Sequence, residues 1–320
     1  MPFTALPYGN FSPERYNKLF YIIFNLLIFN RSMKLFTLAT TALFIGATFL
    51  AMTSPPGRMK PMKLVKVWET DTTLRTPESV LYDGNNTLYV ANIDGKSDSL
   101  DGSGFISKVS LDGKIENLRW TSGLNAPKGM GLYKDKLYVT DVYRLVCINT
   151  ANGQAEKTWD AVGKGAFLND VTVAKDGTVY VSDSRFDKIY RLQDGKWEVW
   201  MEGEQLNKPN GVLAVGKDKL MIGSTKIGAL RSVDLATKTM TTIADGMANT
   251  DGIVPEGKGN YFVSDWNGQV FHVSADGTKQ QLLDTREQKM NAADIDYIAK
   301  KKLLVVPTFF KNKFVAYRVE

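Results

Sequence analysis

The stretch "LNDVTVAKDGTVYVSD" (168–183) decides the fold, because its layout occurs six times along the chain. Every copy has a turn, a short apolar strand, a polar turn and a second strand of the type L-Y-V-x-D. The residues that open the first strand of successive copies lie 50, 41, 41, 41 and 42 positions apart. Such a period of short strands is typical of β-propeller blades. The other copies are "TPESVLYDGNNTLYVAN" (76–92), "APKGMGLYKDKLYVTD" (126–141), "KPNGVLAVGKDKLMIGS" (208–224), "NTDGIVPEGKGNYFVSD" (249–265) and "NAADIDYIAKKKLLVVP" (291–307).

Further strand-like segments follow each copy, as "KIYRL" (188–192) and "WEVWM" (197–201) follow the third. The sixth copy lacks its fourth strand, and a matching segment, "KLVKVWE" (63–69), precedes the first copy. Pairing this segment into the last blade seals two sheet edges that would otherwise be unpaired. We therefore predict an all-β, six-bladed β-propeller with four-stranded blades over 61–320, its ring closed by the N-terminal strand. An open solenoid of six units is the alternative.

Residues 1–60 have a different character. An apolar run at 35–51 follows Met33 and ends among small residues. This order is that of a secretory signal peptide. It predicts a leader over 1–60 in which translation starts at Met33, residues 1–32 are an over-called start, and the propeller is exported to the periplasm or secreted. The run is also near the length of a membrane span, so an uncleaved membrane anchor is the alternative.

The formal net charge of +6 comes largely from the same segment, which holds six Lys and Arg and the single acid Glu14. The rest of the chain is close to neutral, which gives no support for a nucleic-acid partner. No G-x-x-x-x-G-K-[ST] stretch supports a nucleotide. The only cysteine, Cys147, and the only histidine, His272, lie in strand-like runs. This placement argues against Cys-His and Ser-His-Asp mechanisms. A small molecule is therefore the predicted partner.

Polar residues open the first strands, although the strands themselves are apolar. In a propeller the first strand of each blade lines the central channel, so we expect these residues to form a ring around one mouth. Two carboxylates and two amides confined there are costly unless a partner satisfies them. A hard divalent cation bound by oxygen does so. In chain order the ring is Glu78, Lys128, Asn169, Asn210, Asp251 and Ala293.

Four short motifs lie at these positions: "TPES" in the first copy, "ND" in the third, "PNG" in the fourth and "DG" in the fifth. In this combination the chain resembles the gluconolactonase/senescence-marker-protein family, to which regucalcin belongs, over about residues 63–320. The resemblance implies that Glu78, Asn210 and Asp251 hold a divalent metal, with Asn169 contributing to metal or substrate binding. It also implies that the metal polarises a lactone carbonyl while Asp251 activates water. All-oxygen ligation favours Ca²⁺, with Mg²⁺, Mn²⁺ and Zn²⁺ as alternatives.

The chain departs from the family pattern at two places. Gluconolactonases commonly carry an Arg just before the "ND" stretch, and here the neighbours are Phe167 and Leu168. Lys128 enters the ring, where it either binds an anionic group of the substrate or neutralises Glu78 and weakens the metal site. Sugar lactones are therefore not favoured as substrates.

Other residues are expected to have structural roles. Asp141, Asp183 and Asp265 recur at the ends of second strands, and we expect them to hold the next turn together. The side chain of Asp170 is expected to point into its blade. The tryptophans are assigned to outer strands, where they pack one blade against another.

The segment "NIDGKSDSLDGSG" (92–104) lengthens one loop that is expected to hang over the channel mouth. Three interpretations stay open: a lid, a solvated loop, and a cation-binding loop through Asp94, Asp98 and Asp101.

These observations predict an exported, metal-dependent hydrolase that opens a lactone or related ester at the channel mouth. Asp251 is the predicted catalytic residue, and Asn169 and Lys128 are predicted to bind the substrate. The alternative is a non-catalytic propeller of the NHL type that binds a ligand or a protein.

Overall fold

The computed structural model describes residues 61–320, and Met62–Glu320 form one unit. Its strands make six separate four-stranded antiparallel sheets. The predicted six-bladed, all-β propeller with four-stranded blades is confirmed. Within residues 61–320, no helix has the length and apolar character needed to cross a membrane. The predictions made for residues 1–60 lie outside the described residues. The helical turns in the described range are three 3₁₀ helices, Glu204–Leu206, Ala299–Lys301 and Phe309–Lys311.

The strands of each blade run in chain order from the channel outward, except in the last blade, where the outermost strand is β1 (Leu64–Glu69). Blade 1 contains β2 (Pro77–Tyr82), β3 (Thr87–Asn92), β4 (Gly104–Ser110) and β5 (Ile115–Leu124). Blade 2 contains β6 (Pro127–Tyr133), β7 (Lys136–Asp141), β8 (Arg144–Asn149) and β9 (Ala155–Asp160). Blade 3 contains β10 (Leu168–Val173), β11 (Val179–Asp183), β12 (Lys188–Gln193) and β13 (Lys196–Glu202).

The remaining blades follow the same order. Blade 4 contains β14 (Pro209–Val215), β15 (Lys219–Ser224), β16 (Ala229–Asp234) and β17 (Met240–Ala244). Blade 5 contains β18 (Thr250–Gly257), β19 (Asn260–Asp265), β20 (Gln269–Val273) and β21 (Lys279–Asp284). Blade 6 contains β22 (Asp296–Ile298), β23 (Leu303–Pro307), β24 (Phe314–Val319) and β1.

The two ends of the propeller join as predicted. Strand β1 pairs antiparallel with β24, with Leu64 opposite Val319. The backbones of Lys63 and Glu320 exchange two hydrogen bonds of 3.0 Å. This pairing gives the last blade its fourth strand and leaves the ring closed.

Alternating apolar residues of neighbouring blades form the core, so the packing lies between the blades. One cluster joins Val80 of blade 1 to Val305 of blade 6, and the aromatic pair Tyr180–Trp200 (5.4 Å between ring centroids) lies in another. Such an aromatic pair adds roughly 0.5–1.5 kcal/mol beyond the area it buries. The predicted packing role holds for the tryptophans of the outer strands.

The sixth inner strand is shorter than the repeat predicts. Residue Ala293 should open it, but β22 begins only at Asp296. The backbone before it bonds to two blades. Ala293 N donates to Pro307 O of β23 (3.1 Å), whereas Asp294 N donates to Glu78 O (3.0 Å) and Asp294 O accepts from Val80 N (3.3 Å) in blade 1. The bonds with blade 1 interrupt the pairing with β23 between Ala293 and Asp296.

A break in the strand register marks the beginning of the inner strand in five blades. In blade 4, for example, Pro209 pairs with Ser224 and the next regular pair is Val212 with Ile222. Such bulges re-aim side chains that regular alternation would direct elsewhere. The predicted ring residues lie inside these bulges: Glu78, Lys128, Asn169, Asn210 and Asp251.

Candidate metal and substrate site at the channel mouth

A cavity of about 350 Å³ lies at the mouth of the central channel. Four of the five ring residues that line it are buried, and Asn210 is half-buried. The structure therefore brings together side chains that span more than half of the propeller's sequence. The ring residues in the lining are Glu78, Lys128, Asn169, Asn210 and Asp251. Ala293 is not in the lining, and its carbonyl accepts a hydrogen bond from Ser264 Oγ (2.7 Å).

Three oxygen atoms in this cavity lack donors. Among residues 61–320, Glu78 Oε2, Asn210 Oδ1 and Asp251 Oδ2 are buried and accept no hydrogen bond. Leaving a buried acceptor unsatisfied costs about 1–3 kcal/mol, and more for a charged group. All three come from different blades and line one cavity, and carboxylate and amide oxygens are the ligands that a hard cation takes.

Four carboxyl groups interact in and below the mouth cavity: Glu78 and Asp251 line it, and Asp170 and the half-buried Asp294 lie close to them. Burial raises the pKa of Glu78 and of Asp251 well above the usual range, and each is raised further by a neighbouring carboxylate, while the amide of Asn210 lowers the pKa of Asp251. The pKa of Asp294 is also raised, mainly by burial and then by Asp170 and Glu78. Burial raises the pKa of Asp170 to about 7. Because like charges repel strongly in such surroundings, the arrangement favours an added positive charge.

Lys128 is the ammonium group that the structure places among these acids. It is 2 % exposed, and its Nζ donates to Ala126 O (3.1 Å) and lies 4.4 Å from the ring centre of Phe167. Burial lowers the pKa of Lys128 to about 8, against the opposing effect of Glu78. The same lysine lowers the pKa of Glu78. This one ammonium offsets the effect of burial only in part, since the pKa of Glu78 still lies well above the usual range.

The side chain of Asn169 is held by a short chain of hydrogen bonds. Its Nδ2 donates to Ser184 Oγ (3.2 Å), and Ser184 Oγ donates to Pro209 O (2.7 Å). The amide nitrogen is thereby used, which leaves the amide oxygen as the group that Asn169 can offer to a cation or substrate.

The side chain of Asp170 lies between the inner strands of neighbouring blades, so the prediction that it points into its own blade was wrong. Asp170 does not line the cavity, and its two oxygens accept hydrogen bonds from Val171 N (2.7 Å) and Val212 N (2.8 Å). The second bond ties blade 3 to the inner strand of blade 4.

The glycines of the "PNG" and "DG" motifs serve close packing between inner strands. A Cβ built on Gly211 would lie 1.8 Å from the backbone oxygen of Asp251, and one on Gly252 would lie 2.5 Å from Asp294 Oδ1. Real Cβ atoms do not approach other atoms so closely, so these positions require glycine. Their neighbours Asn210 and Asp251 are thus carried on strands that lie unusually close together.

The aspartates at the ends of second strands hold turns together, as predicted. Asp183 Oδ1 accepts hydrogen bonds from the backbone N–H groups of Phe167, Arg185 and Phe186 (3.0–3.2 Å). Asp141 accepts from Asn125 N and Ala126 N and pairs with Arg144. Asp265 accepts from Asn267 N.

The long loop between β3 and β4 reaches the cavity through Ser97. Two of its acids already have partners within the chain. Asp94 forms an ion pair with Arg119 (2.7 Å), and Asp101 accepts hydrogen bonds from the hydroxyls of Ser99 and Ser103. Its roles as a lid or as a cation-binding loop stay predictions.

Sequence patterns missed the apolar wall of the cavity. Trp266 follows β19 in a mouth loop and lines the cavity, so its assignment to an outer strand was wrong. The rings of Trp266 and Phe309 meet edge to face, with 5.4 Å between their centroids, and Ile93 also lines the cavity. The signal for Trp266 is its position directly after Asp265, because that aspartate recurs wherever a second strand ends at the mouth.

Within residues 61–320, no three side chains drawn from His, Cys, Asp and Glu converge as a metal centre. The predicted set includes only two carboxylates, Glu78 and Asp251, and depends on amide oxygens for the rest. Such a set fits a hard cation such as Ca²⁺, which binds carboxylate and amide oxygens. The three oxygens without donors are the observation that makes the fit.

A larger groove of about 680 Å³ lies on the opposite face, between blades 3 and 4. It is lined by turn residues such as Lys175, Asp176, Lys217 and Asp218. None of the three donor-less oxygens lies in this groove, and all three line the cavity at the mouth. We therefore place the functional site at the mouth.

No protein-family model matches the chain, and no curated protein matches it. Solved structures do match. A candidate gluconolactonase has a TM-score of 0.62 and 16 % identity, over 83 % of this chain and 93 % of that one. Virginiamycin B lyase from Staphylococcus aureus with quinupristin has a TM-score of 0.57 and 13 % identity, over 81 % and 99 %. A streptogramin B lyase gives the same TM-score and identity, over 81 % and 98 %. At this identity the similarity shows the fold, and it agrees at that level with the resemblance found in the sequence.

Proposed function

We propose that this propeller is a metal-dependent hydrolase that opens a lactone or related ester at the channel mouth. The observation that carries the proposal is the set of three buried oxygens without donors, Glu78 Oε2, Asn210 Oδ1 and Asp251 Oδ2, within the described chain. They line one cavity with Asn169 and Lys128. The scaffold shared with a lyase and with a candidate gluconolactonase supports a small-molecule reaction at this mouth.

Glu78, Asn210 and Asp251 would hold the cation, with Asn169 beside them, and Ca²⁺ is the ion that best suits these oxygen ligands. When bound, the cation supplies Lewis acidity at the scissile carbonyl. Both carboxylates would gain from the cation, because burial and neighbouring acids disfavour the charge of Glu78 and of Asp251.

Asp251 would take a proton from the attacking water, whose oxygen forms the new bond to the carbonyl carbon. The ester C–O bond then breaks, and the leaving oxygen receives the proton, which gives the hydroxy acid. A base in this position contributes about 10²–10⁴-fold to the rate. Asn169 and Lys128 would orient the substrate by hydrogen bonds.

The first test is calorimetric titration of the purified propeller with Ca²⁺, Mg²⁺, Mn²⁺ and Zn²⁺, followed by a panel of lactones and esters with each ion. We expect Ca²⁺ to bind and to raise the melting temperature, since an ion at a hundred times its Kd stabilises the fold by about 2.7 kcal/mol. The Glu78→Gln variant should lose this stabilisation. Absence of binding by all four ions would remove the basis of the proposal.

A second candidate function is non-catalytic binding of a ligand or protein, as in NHL-type propellers. It is favoured by Lys128, which already gives Glu78 a positive neighbour in the absence of metal. A scaffold of this kind would keep its ligand in the Asp251→Ala variant, whereas a hydrolase would lose turnover on every lactone it accepts.

A further inference from the structure

Apolar walls stand above the polar floor of the mouth cavity. On the side of blades 5 and 6, Trp266, Phe309 and Phe310 pack edge to face, with ring centres 4.7–6.0 Å apart. Across the ring, Phe167 of blade 3 lies between two cations, 4.4 Å from Lys128 and 5.2 Å from Arg185. The cavity therefore has an aromatic surface on two opposite sides.

The apolar surface continues outward onto the rim of the mouth. Seven large hydrophobic residues are exposed among residues 61–320, and four of them lie in loops that join the second and third strands of a blade. These loops are the ones that open on the mouth. Single exposed hydrophobic residues need no explanation, but Phe310 packs against Trp266 and Phe309 and so extends the apolar wall beyond the cavity. The four are Phe310 (65 % exposed), Leu100 (62 %), Ile227 (47 %) and Phe186 (41 %).

Backbone strain is concentrated in the same region. Most residues with positive φ are Gly, Asp, Asn or Lys, and the three exceptions in the described chain all lie in mouth loops: Thr76 (48°), Val142 (59°) and Phe309 (51°). A β-branched or aromatic residue in this conformation costs about 1–3 kcal/mol, and such strain persists where the surroundings impose it. Val142 and Phe309 share a small apolar cluster with Ile93. The mouth thus holds Phe309 and Ile93 in the cavity wall at an energetic cost.

We infer that the substrate carries an apolar acyl chain or aryl group, bound between Phe167 and the Trp266–Phe309 wall and leaving the cavity over Phe310. This inference rests on the proposed function, and it names the class of lactone or ester that the site takes. The reacting carbonyl lies at the polar floor, and the apolar group lies against the walls. A lactone without such a group leaves both aromatic surfaces uncovered.

The walls predict how affinity depends on the length of the apolar group. Each methylene that moves from water onto an apolar wall tightens binding about fourfold. A volume of about 350 Å³ is near the lower end for small-molecule sites, so the gain should stop once the group has crossed the rim.

The probe for the test is a series of δ-valerolactam derivatives with 6-alkyl groups of increasing length. These lactams present the same ring and carbonyl without being readily opened, so calorimetry measures binding apart from catalysis. The wild-type protein should bind each longer lactam about fourfold more tightly up to a plateau. An affinity that does not change with chain length would overturn the inference.

Two variants locate the effect and one controls for it. Phe310→Ser changes a side chain that is 65 % exposed, so folding is not at risk, and it should flatten the upper part of the series. Trp266→Ala should reduce affinity for every alkyl lactam by tenfold or more, since a large aromatic side chain is worth more than about 1.4 kcal/mol at a binding surface. The control Val67→Ser removes an exposed apolar residue of β1, outside the mouth, and should change nothing.

A chain-length dependence that survives both mouth variants unchanged would also overturn the inference, because the apolar group would then bind elsewhere. If the lactams behave as expected but no lactone is opened with any ion, the ligand class is supported while the proposed hydrolysis is refuted. The two failures are therefore distinguishable.

Discussion

The two faces of the propeller are built from different kinds of connection. On one face, which we call the turn face, short turns join the first strand to the second and the third to the fourth. Aspartates there accept a hydrogen bond from the backbone two residues further on: Asp83 from Asn85, Asp176 from Thr178 and Asp276 from Thr278 (2.8–2.9 Å). On the mouth face, the loops are longer and irregular, and the ring residues lie in bulges.

The difference lies in where the polar groups find their partners. A turn-face aspartate is satisfied by its own turn, so its role is local. Within the described residues, Glu78, Asn210 and Asp251 at the mouth keep oxygens that no neighbour satisfies. Asp183 Oδ2 and Asp265 Oδ2 are also buried without a donor, although the other oxygen of each holds a turn. What distinguishes the mouth is that its three oxygens line one cavity, an arrangement that stability alone would not retain and that a ligand would satisfy.

The sharpest test of this contrast exchanges the same residue type on the two faces. We expect Asp251→Asn to lower kcat/KM at least a thousandfold, since it removes a base and a cation ligand together. It should also abolish stabilisation by Ca²⁺. The matched change Asp276→Asn keeps the acceptor of an exposed turn and should leave activity intact, with stability altered by less than about 0.5 kcal/mol. Full activity in Asp251→Asn would contradict the proposed chemistry.

A glycine pair compares backbone crowding on the two faces. Gly211→Ala should destabilise the propeller by about 3 kcal/mol or more, because its Cβ would lie 1.8 Å from Asp251 O and force two inner strands apart. Gly195 has φ +79°, and no heavy atom of the described chain lies near its would-be Cβ. Gly195→Ala should therefore cost only the left-handed conformation, about 1–2 kcal/mol. Urea unfolding measures both, and equal losses would mean that the inner strands can separate freely.

The sequence predicts the fold well because the repeat records it directly. Strands recur at a fixed spacing, turns carry Gly and Asp, and the unpaired segment 63–69 matches the missing strand of the last copy. The ring was predictable for the same reason, since equivalent positions in a closed repeat must meet. Each of these inferences depends on local patterns that tertiary contacts do not override.

The walls of the mouth were not predictable in this way. Five of the six tryptophans lie on outer strands, and Trp266 departs from that rule because it follows β19 in a loop. Phe309 faces the cavity in a left-handed conformation that a bulky residue rarely adopts. The late start of β22 depends on hydrogen bonds with blade 1. All three features arise from contacts between blades, which a repeat pattern does not contain.

The pH dependence of stability should have opposite signs for a carboxyl group buried in the channel and for one exposed in a turn. Burial raises the pKa of Asp296 to about 6, so the folded protein binds its proton more tightly than the unfolded chain does. Stability therefore falls as pH rises from about 4 to about 6, by up to about 3 kcal/mol for this group. The Asp296→Asn variant should not show this fall in the free energy of unfolding with rising pH. It should also lose one of the two hydrogen bonds that the carboxylate accepts from backbone N–H groups.

The exposed comparison for this experiment is Asp276, whose pKa is lowered by its hydrogen bonds with Thr278. Its contribution is present at neutral pH and is lost as pH falls through the folded pKa. Urea unfolding of metal-free protein between about pH 4 and 8 measures both slopes. An Asp296→Asn variant whose stability changes with pH as the wild type does would show that Asp296 is not the group responsible.

The smallest expected effect concerns Lys128, and it decides between the two roles that the sequence left open. If the ammonium mainly neutralises Glu78, Lys128→Met should tighten Ca²⁺ binding on the order of tenfold, because a positive charge beside the cation is removed. The side chains are similar in length, so packing against Phe167 is kept. If Lys128 instead binds an anionic group of the substrate, Ca²⁺ affinity stays the same and KM rises for anionic substrates alone.

The control is Lys217→Met, which changes an exposed lysine of a turn and should leave calorimetric Ca²⁺ affinity and KM unchanged. A tightening of equal size in both variants would mean that the long-range field of the protein, and not the contact at the mouth, sets the affinity.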